Sequence, residues 1–215
     1  MLPYQVELLT MVFWLMGAMF VGAAASAYIF RNVRSCGFVI AATVVMIAMI
    51  FVASAVAATN NALLSVGVAF LFGASVGSIL GSFVLMVTEG HERGAEAVLV
   101  TLAILGVVTV CAGVIGLTSG YNFQGMGGTL FAILIGIVAI SLIGLFVRWG
   151  KVMEMVIGLG VSLFFVVYMV YDFNKAVALY TEATWSAAMD IAMNLFLDLV
   201  NIFVRLLPII LDAMD

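Results

Sequence analysis

The stretch SCGFVIAATVVMIAMIFVASAVAATNNALLSVGVAFLFGASVGSILGSFVLMVT, residues 35–88, holds 54 residues and no charged side chain. A helix crosses the hydrocarbon of a bilayer in about 20 residues. This run is too long for one crossing and long enough for two. Its only polar interruption with turn chemistry is Thr59-Asn60-Asn61, so it reads as helices over about 37–58 and 62–87. Two apolar helices joined by three residues make a membrane hairpin. Barrel strands would need only about 9–11 residues and would alternate apolar with polar, which this run does not do.

Outward from this hairpin the remaining charges place the other spans. Between Glu7 and Arg31 lie 23 uncharged residues, giving a span of about 8–30. Residues 97–147 are a second uncharged run of 51, broken by Thr118-Ser119-Gly120-Tyr121-Asn122 into about 95–117 and 128–147. Two more spans fall at about 152–172 and 186–207, which makes an all-α, seven-helix polytopic membrane bundle in a single domain, 1–215. The chain is 67% hydrophobic and 8% charged, where a soluble domain carries about 25% charged residues. A soluble enzyme, a disordered chain and a nucleic-acid binder are excluded, the last because seven scattered Lys and Arg form no basic patch. No basic residue precedes the first apolar stretch, so no signal peptide is expected and the first helix is read as retained.

Basic residues orient the bundle. Arg31, Arg34, Arg93, Arg148, Lys151 and Arg205 fall on one side of this layout and Lys175 on the other. The positive-inside rule then places the C-terminus in the cytoplasm and the N-terminus outside. Tyr4, Trp14, Tyr28, Trp149 and Trp185 stand near expected span ends, where amphipathic rings favour the interface. Cys36 and Cys111 form neither a disulfide framework nor a metal spacing and read as small packing residues. In the third helix Gly73, Gly77 and Gly81 repeat every four residues, with Ser75, Ser78 and Ser82 around them. Lipid tails are as apolar as leucine, so such a smooth face serves close helix packing.

Acids inside the spans carry the functional signal, since an Asp near a helix centre costs at least about 2.5–3.5 kcal/mol to insert. Asp190, Asn194, Asp198, Asn201 and Arg205 follow one another at intervals of four, four, three and four. They share one stripe of the last helix, read as a polar seam turned inward. Ile191, Phe196, Leu199, Val200, Phe203 and Val204 then form a back turned to lipid. Asp172 closes the sixth helix, and Glu154 lies eighteen residues before it on the same face. A connector over 174–185 lets the last two helices pack antiparallel, so Asp172 and Asp198 can face one another. Two carboxyls in hydrogen-bond contact share a proton and form a candidate switch. With the proton gone they offer hard oxygen ligands to a divalent cation such as Ca²⁺. No other cofactor is expected. Glu89, His91, Glu92, Arg93 and Glu96 read as a solvated loop leading into the fourth helix, because His91 is the only histidine.

Tyr171-Asp172, followed by Leu197-Asp198-Leu199-Val200-Asn201-Ile202-Phe203-Val204-Arg205-Leu206-Leu207, resembles the C-terminal signature of the transmembrane Bax inhibitor motif family. Phe70-Leu71-Phe72-Gly73 with Gly77 and Gly81 is similar to that family's glycine-rich third helix. The resemblance implies six helices around a central C-terminal one and a pH-sensitive Ca²⁺ leak governed by Asp172 and Asp198. It also implies relatives tied to membrane-protease quality control in bacteria and to cell-death suppression in eukaryotes. The chain departs from the family in one respect: residues 37–58 hold no arginine to pair with the aspartates, a place Arg205 can take. The family arrangement puts the aspartate pair near the cytoplasmic face, whereas the basic-residue count puts the neighbouring Lys175 outside. Three functions follow: a cation leak, a non-conducting partner of a membrane complex such as a protease assembly, and an intramembrane aspartyl protease. Leu195-Phe196-Leu197 before Asp198 lacks the glycine such proteases carry, so no enzyme is expected. The expected location is a prokaryotic cytoplasmic membrane, with a eukaryotic organelle membrane as the alternative.

Overall fold

A computed structural model describes residues 1–33, 35–144, 146–147 and 149–214. It contains α1 (Pro3–Phe30), α2 (Cys36–Ala57), α3 (Ala62–Thr88), α4 (Gly94–Thr118), a short 3-10 turn (Phe123–Met126), α5 (Gly127–Gly144), α6 (Lys151–Ala178) and α7 (Trp185–Met214). There is no strand among the described residues. Among the described residues seven helical segments, α5 counted together with the turn before it, are long and apolar enough to cross a membrane, which makes this an integral membrane protein.

The chain divides into two compact units. The first comprises Met1–His91 and Tyr180–Phe196, the second Glu92–Leu179 and Leu197–Asp215. α7 therefore supplies its first part to one unit and its remainder to the other.

In the first unit α3 packs on α1 and α2. The turn before α3 works through its asparagines. Asn60 adopts a positive φ of 52°, which asparagine tolerates better than most residues. Its Oδ1 accepts a bond of 2.8 Å from the backbone N–H of Trp185 at the start of α7. Asn61 caps α3, its Oδ1 accepting from Leu64 N–H at 3.1 Å. The glycine stripe meets α1: a Cβ added at Gly73, Gly77 or Gly81 would run into the backbone of Met19, Ala23 or Ala27. Phe72 and Phe196 are buried and stack edge-on with ring centroids 6.0 Å apart, and Phe20 adds a second edge contact to Phe196 at 5.2 Å. Gly77→Val is expected to cost about 1–3 kcal/mol, the range for forcing atoms into a packed interface. Gly67→Val on the same helix has open space at its Cβ and serves as the control. Thermal melts of both variants in detergent check the difference.

In the second unit α4 packs on α6. An added Cβ at Gly116 would fall 2.6 Å from Val170 O and 2.7 Å from Phe173 Cβ, so α4 and α6 touch through backbone here.

Several expectations need correction. α6 runs six residues beyond Asp172, to Ala178, so Asp172 lies inside the helix and Lys175 in its last turn rather than in a loop. Trp14 stands in the middle of α1 and is 69% exposed, so it does not mark a span end. Cys111 is exposed rather than packed. The Cys36 side chain lies outside the described residues, as do Arg34 and Arg148 of the basic-residue count.

Candidate functional site

Asp172 and Asp198 both belong to the second unit, on α6 and α7. They are almost fully withdrawn from solvent, at 0% and 4% exposure. The two side chains are near enough for the charge of Asp172 to act on Asp198. An ionised carboxylate can only accept, so a hydrogen bond between these groups needs a proton on one of them. Asp198 Oδ2 is buried with no hydrogen-bond partner among the described residues, and a proton shared with Asp172 would supply one.

The cation of this site is Lys175, three residues after Asp172 on the same helix face. Its Nζ lies 3.0 Å from Asp172 Oδ1, and its side chain is only 11% exposed. It also sits 5.4 Å from the centre of the Tyr171 ring, within cation–π range. Tyr168 is influenced by Asp172, Asp198 and Lys175 together, so it adjoins the same cluster one turn before Asp172. The site thus holds two carboxyls against one ammonium. With both acids ionised it carries a net charge of −1, and one proton or one extra cation balances it.

Sequence reasoning passed over Lys175 because it placed the end of the helix at Asp172. The available signal was the Asp-x-x-Lys spacing, an i, i+3 pair within a continued helix. Arg205 does not serve as the latch at this site. Its Nη2 donates to Ser141 Oγ on α5 at 2.9 Å.

The polar seam of α7 is not turned inward as a whole. Asp190 and Asn201 are exposed, Asn194 and Arg205 are half-buried, and only Asp198 is buried. Ile191, Phe196, Leu199 and Phe203, assigned to the lipid-facing back, are instead buried at 0%, 1%, 7% and 8% exposure. Asp190 and Asn194 lie in the first unit. There Tyr180 Oη donates to Asp190 Oδ2 at 2.8 Å, and Asn194 Nδ2 donates to Asp190 Oδ1 at 3.3 Å. Asn201 donates to its own helix at Leu197 O, 2.9 Å away. Glu154 is exposed, so sharing a helix face with Asp172 does not bring it to the site. Gly73, Gly77 and Gly81 belong to the first unit and take no part in the pair. His91 and its acidic neighbours gather no metal site, and no group of three or more His, Cys, Asp or Glu among the described residues could hold an ion.

A further residue positions Asp172. Asn174, 1% exposed, donates from Nδ2 to Gly116 O at 3.0 Å and to Tyr121 O at 2.9 Å. Its Oδ1 accepts from Phe123 N–H at 3.0 Å. One buried amide therefore ties the α4–α5 connection to α6, two residues from Asp172. Asn174→Ala strands buried backbone groups, each worth about 1–3 kcal/mol. The expected result is faster hydrogen exchange at Phe123 N–H together with a lower melting temperature.

Comparison with known proteins gives a consistent picture. The family model described as inhibitor of apoptosis-promoting Bax1 matches residues 5–215. Protein LIFEGUARD 4 of Arabidopsis thaliana is 32% identical over 126 residues, 57% of this chain and 47% of that protein. Protein LIFEGUARD 3 of the same plant is 33% identical over 93 residues, 42% of this chain and 36% of that protein. An uncharacterized membrane protein of Streptococcus pyogenes serotype M3 is 30% identical over 176 residues, 78% of this chain and 72% of that protein. The chain therefore spans less than half the length of the two plant relatives and most of the streptococcal one.

Proposed function

Since the chain belongs to the family of inhibitors of apoptosis-promoting Bax1, we propose that this integral membrane protein is a pH-sensitive leak for calcium or a similar cation. The gate is the Asp172–Asp198 pair. The observation that carries this reading is the charge balance at the site: two buried carboxyls that act on each other, beside one lysine only 11% exposed. A buried net charge is costly. In acid a proton neutralises the excess carboxylate and ties the two side chains together. As the proton leaves, the site becomes negative, and an entering cation can take the proton's place. Proton and cation compete for one position, and that competition makes the leak depend on pH.

Calcium is the ion in passage in this scheme rather than a resident cofactor. A held Ca²⁺ takes six to eight oxygens. Two carboxyls, with an ammonium 3.0 Å from one of them, are too few. The same pair makes poor protease machinery, because Leu195-Phe196-Leu197 before Asp198 holds no glycine to let a substrate backbone approach. We read the protein as a non-enzyme.

The test is calcium entry into liposomes that carry the purified protein and an enclosed indicator. Entry above that of empty liposomes, rising from acidic to neutral buffer, supports the leak. No entry at any pH overturns it. If the protein also came out of membranes in fixed ratio with a larger assembly, such as a membrane protease, a non-conducting regulatory subunit would be the better reading.

A further inference from the structure

A cavity of about 730 Å³ opens in the second unit among α5, the start of α6 and the end of α7. Ser141, Glu154, Val204, Arg205 and Pro208 all line it. Its chemistry is separate from the aspartate pair and has no part in the gating reading above.

Arg205 stands nine residues before the end of α7, about 13 Å along a helix rising 1.5 Å per residue. Its guanidinium is half-buried and bonds Ser141 Oγ at 2.9 Å. Among the described residues no carboxylate pairs with it: Asp212 is bonded to Lys151 and Glu96 to Arg93. A guanidinium offers five donors in a planar fork, and one serine hydroxyl uses a single donor. Glu154, in the first turn of α6, brings a carboxylate to the same cavity with no cation bonded to it.

The cavity thus presents an unmatched cation deeper in the span and an unmatched carboxylate nearer its end. The rest of the wall holds Lys151 and Asp212, which pair with each other at 3.3 Å, and apolar side chains that include Ile140 and Ile209. We propose that this cavity binds a phospholipid with a primary-amine headgroup. Its phosphate lies on Arg205 and Ser141, its ammonium on Glu154, and an acyl chain lies along the isoleucines. The order of charges matches the ligand, since the phosphate of such a lipid lies deeper than its ammonium. A purely anionic lipid would leave Glu154 facing like charge. A trimethylated headgroup has no N–H to give Glu154.

The test is native mass spectrometry of the purified full chain in detergent. It is titrated separately with phosphatidylethanolamine, phosphatidylcholine and phosphatidylglycerol of matched chains, and with soluble phosphoethanolamine. The wild type should retain phosphatidylethanolamine about tenfold better than the other two lipids, the scale of a charged hydrogen bond. Glu154→Gln, at an exposed position that leaves the fold intact, should bring it down to the level of phosphatidylcholine. Arg205→Gln should weaken all three lipids, and Arg205→Lys should restore part of the loss. Equal retention of the three lipids, first rank for phosphatidylglycerol, or an amine preference that survives Glu154→Gln overturns the proposal. Capture of soluble phosphoethanolamine as strong as that of the lipid also overturns it, because the occupant would then be a soluble zwitterion.

Discussion

Lys175→Met is expected to lower stability by about 3–5 kcal/mol at neutral pH, the cost of removing one partner from a buried ion pair. The size follows from burial, since Asp172 is 0% exposed and the lysine side chain 11%. Water therefore does little to screen the charge left behind. Methionine keeps most of the lysine volume, so lost packing contributes little. The deficit should shrink in acid, where both carboxyls carry protons and no charge is left unpaired. It should grow as pH rises and the second carboxyl ionises beside the first. The double variant Lys175→Met, Asp172→Asn removes both charges and should recover most of the loss. Thermal melts across a pH series in detergent read all three proteins. A single variant as stable as wild type at every pH would mean that the ion pair carries no weight in the fold.

Asp198→Asn is expected to abolish the pH dependence of calcium entry while leaving the protein folded. The amide has almost the shape of the carboxyl and can donate permanently to Asp172, as the shared proton does in the wild type. The site then holds one carboxylate and one ammonium, is neutral without a proton, and presents no excess charge to an entering cation. Entry should therefore stay low and flat from acidic to alkaline buffer. Asp172→Asn should also flatten the profile, but with a further loss of stability, because it leaves Lys175 without the carboxylate at 3.0 Å. Liposome flux at several pH values separates the two variants from wild type. A pH profile that survives Asp198→Asn would remove the pair from the gate.

The helices could be read from the sequence because charge and turn chemistry mark their ends. Thr59-Asn60-Asn61 divides residues 35–88, and the structure gives the mechanism: Asn60 takes the positive φ and Asn61 caps α3. The end of α6 could not be read in the same way. Tyr171-Asp172-Phe173-Asn174-Lys175 looks polar enough to leave the membrane, yet its polar groups meet partners within the protein. Asn174 bonds three backbone groups, and Lys175 neutralises Asp172. A polar cluster satisfied through contacts distant in sequence is not visible in a local window.

The inward seam of α7 failed for a different reason. The spacing does put Asp190, Asn194, Asp198, Asn201 and Arg205 on one stripe. In water the apolar face of a helix turns to the core, but in lipid both surroundings are apolar and the pattern does not choose between them. Close packing decides instead, and it buries Ile191 and Phe196 while leaving Asp190 and Asn201 exposed. Orientation gains from the same corrections. Lys175 is tied to Asp172, and Arg205 lies within α7. Neither is a loop charge, so both leave the basic-residue count.

The central claim is that one proton sits between Asp172 and Asp198 and that a cation replaces it. Infrared difference spectroscopy of the protein in lipid tests this most directly, through the carbonyl stretch of a protonated carboxyl. Such a band is expected in acidic buffer, to be lost on adding calcium or raising pH, and to be absent from Asp198→Asn. A band unchanged by calcium, or equally strong in Asp198→Asn, would contradict it.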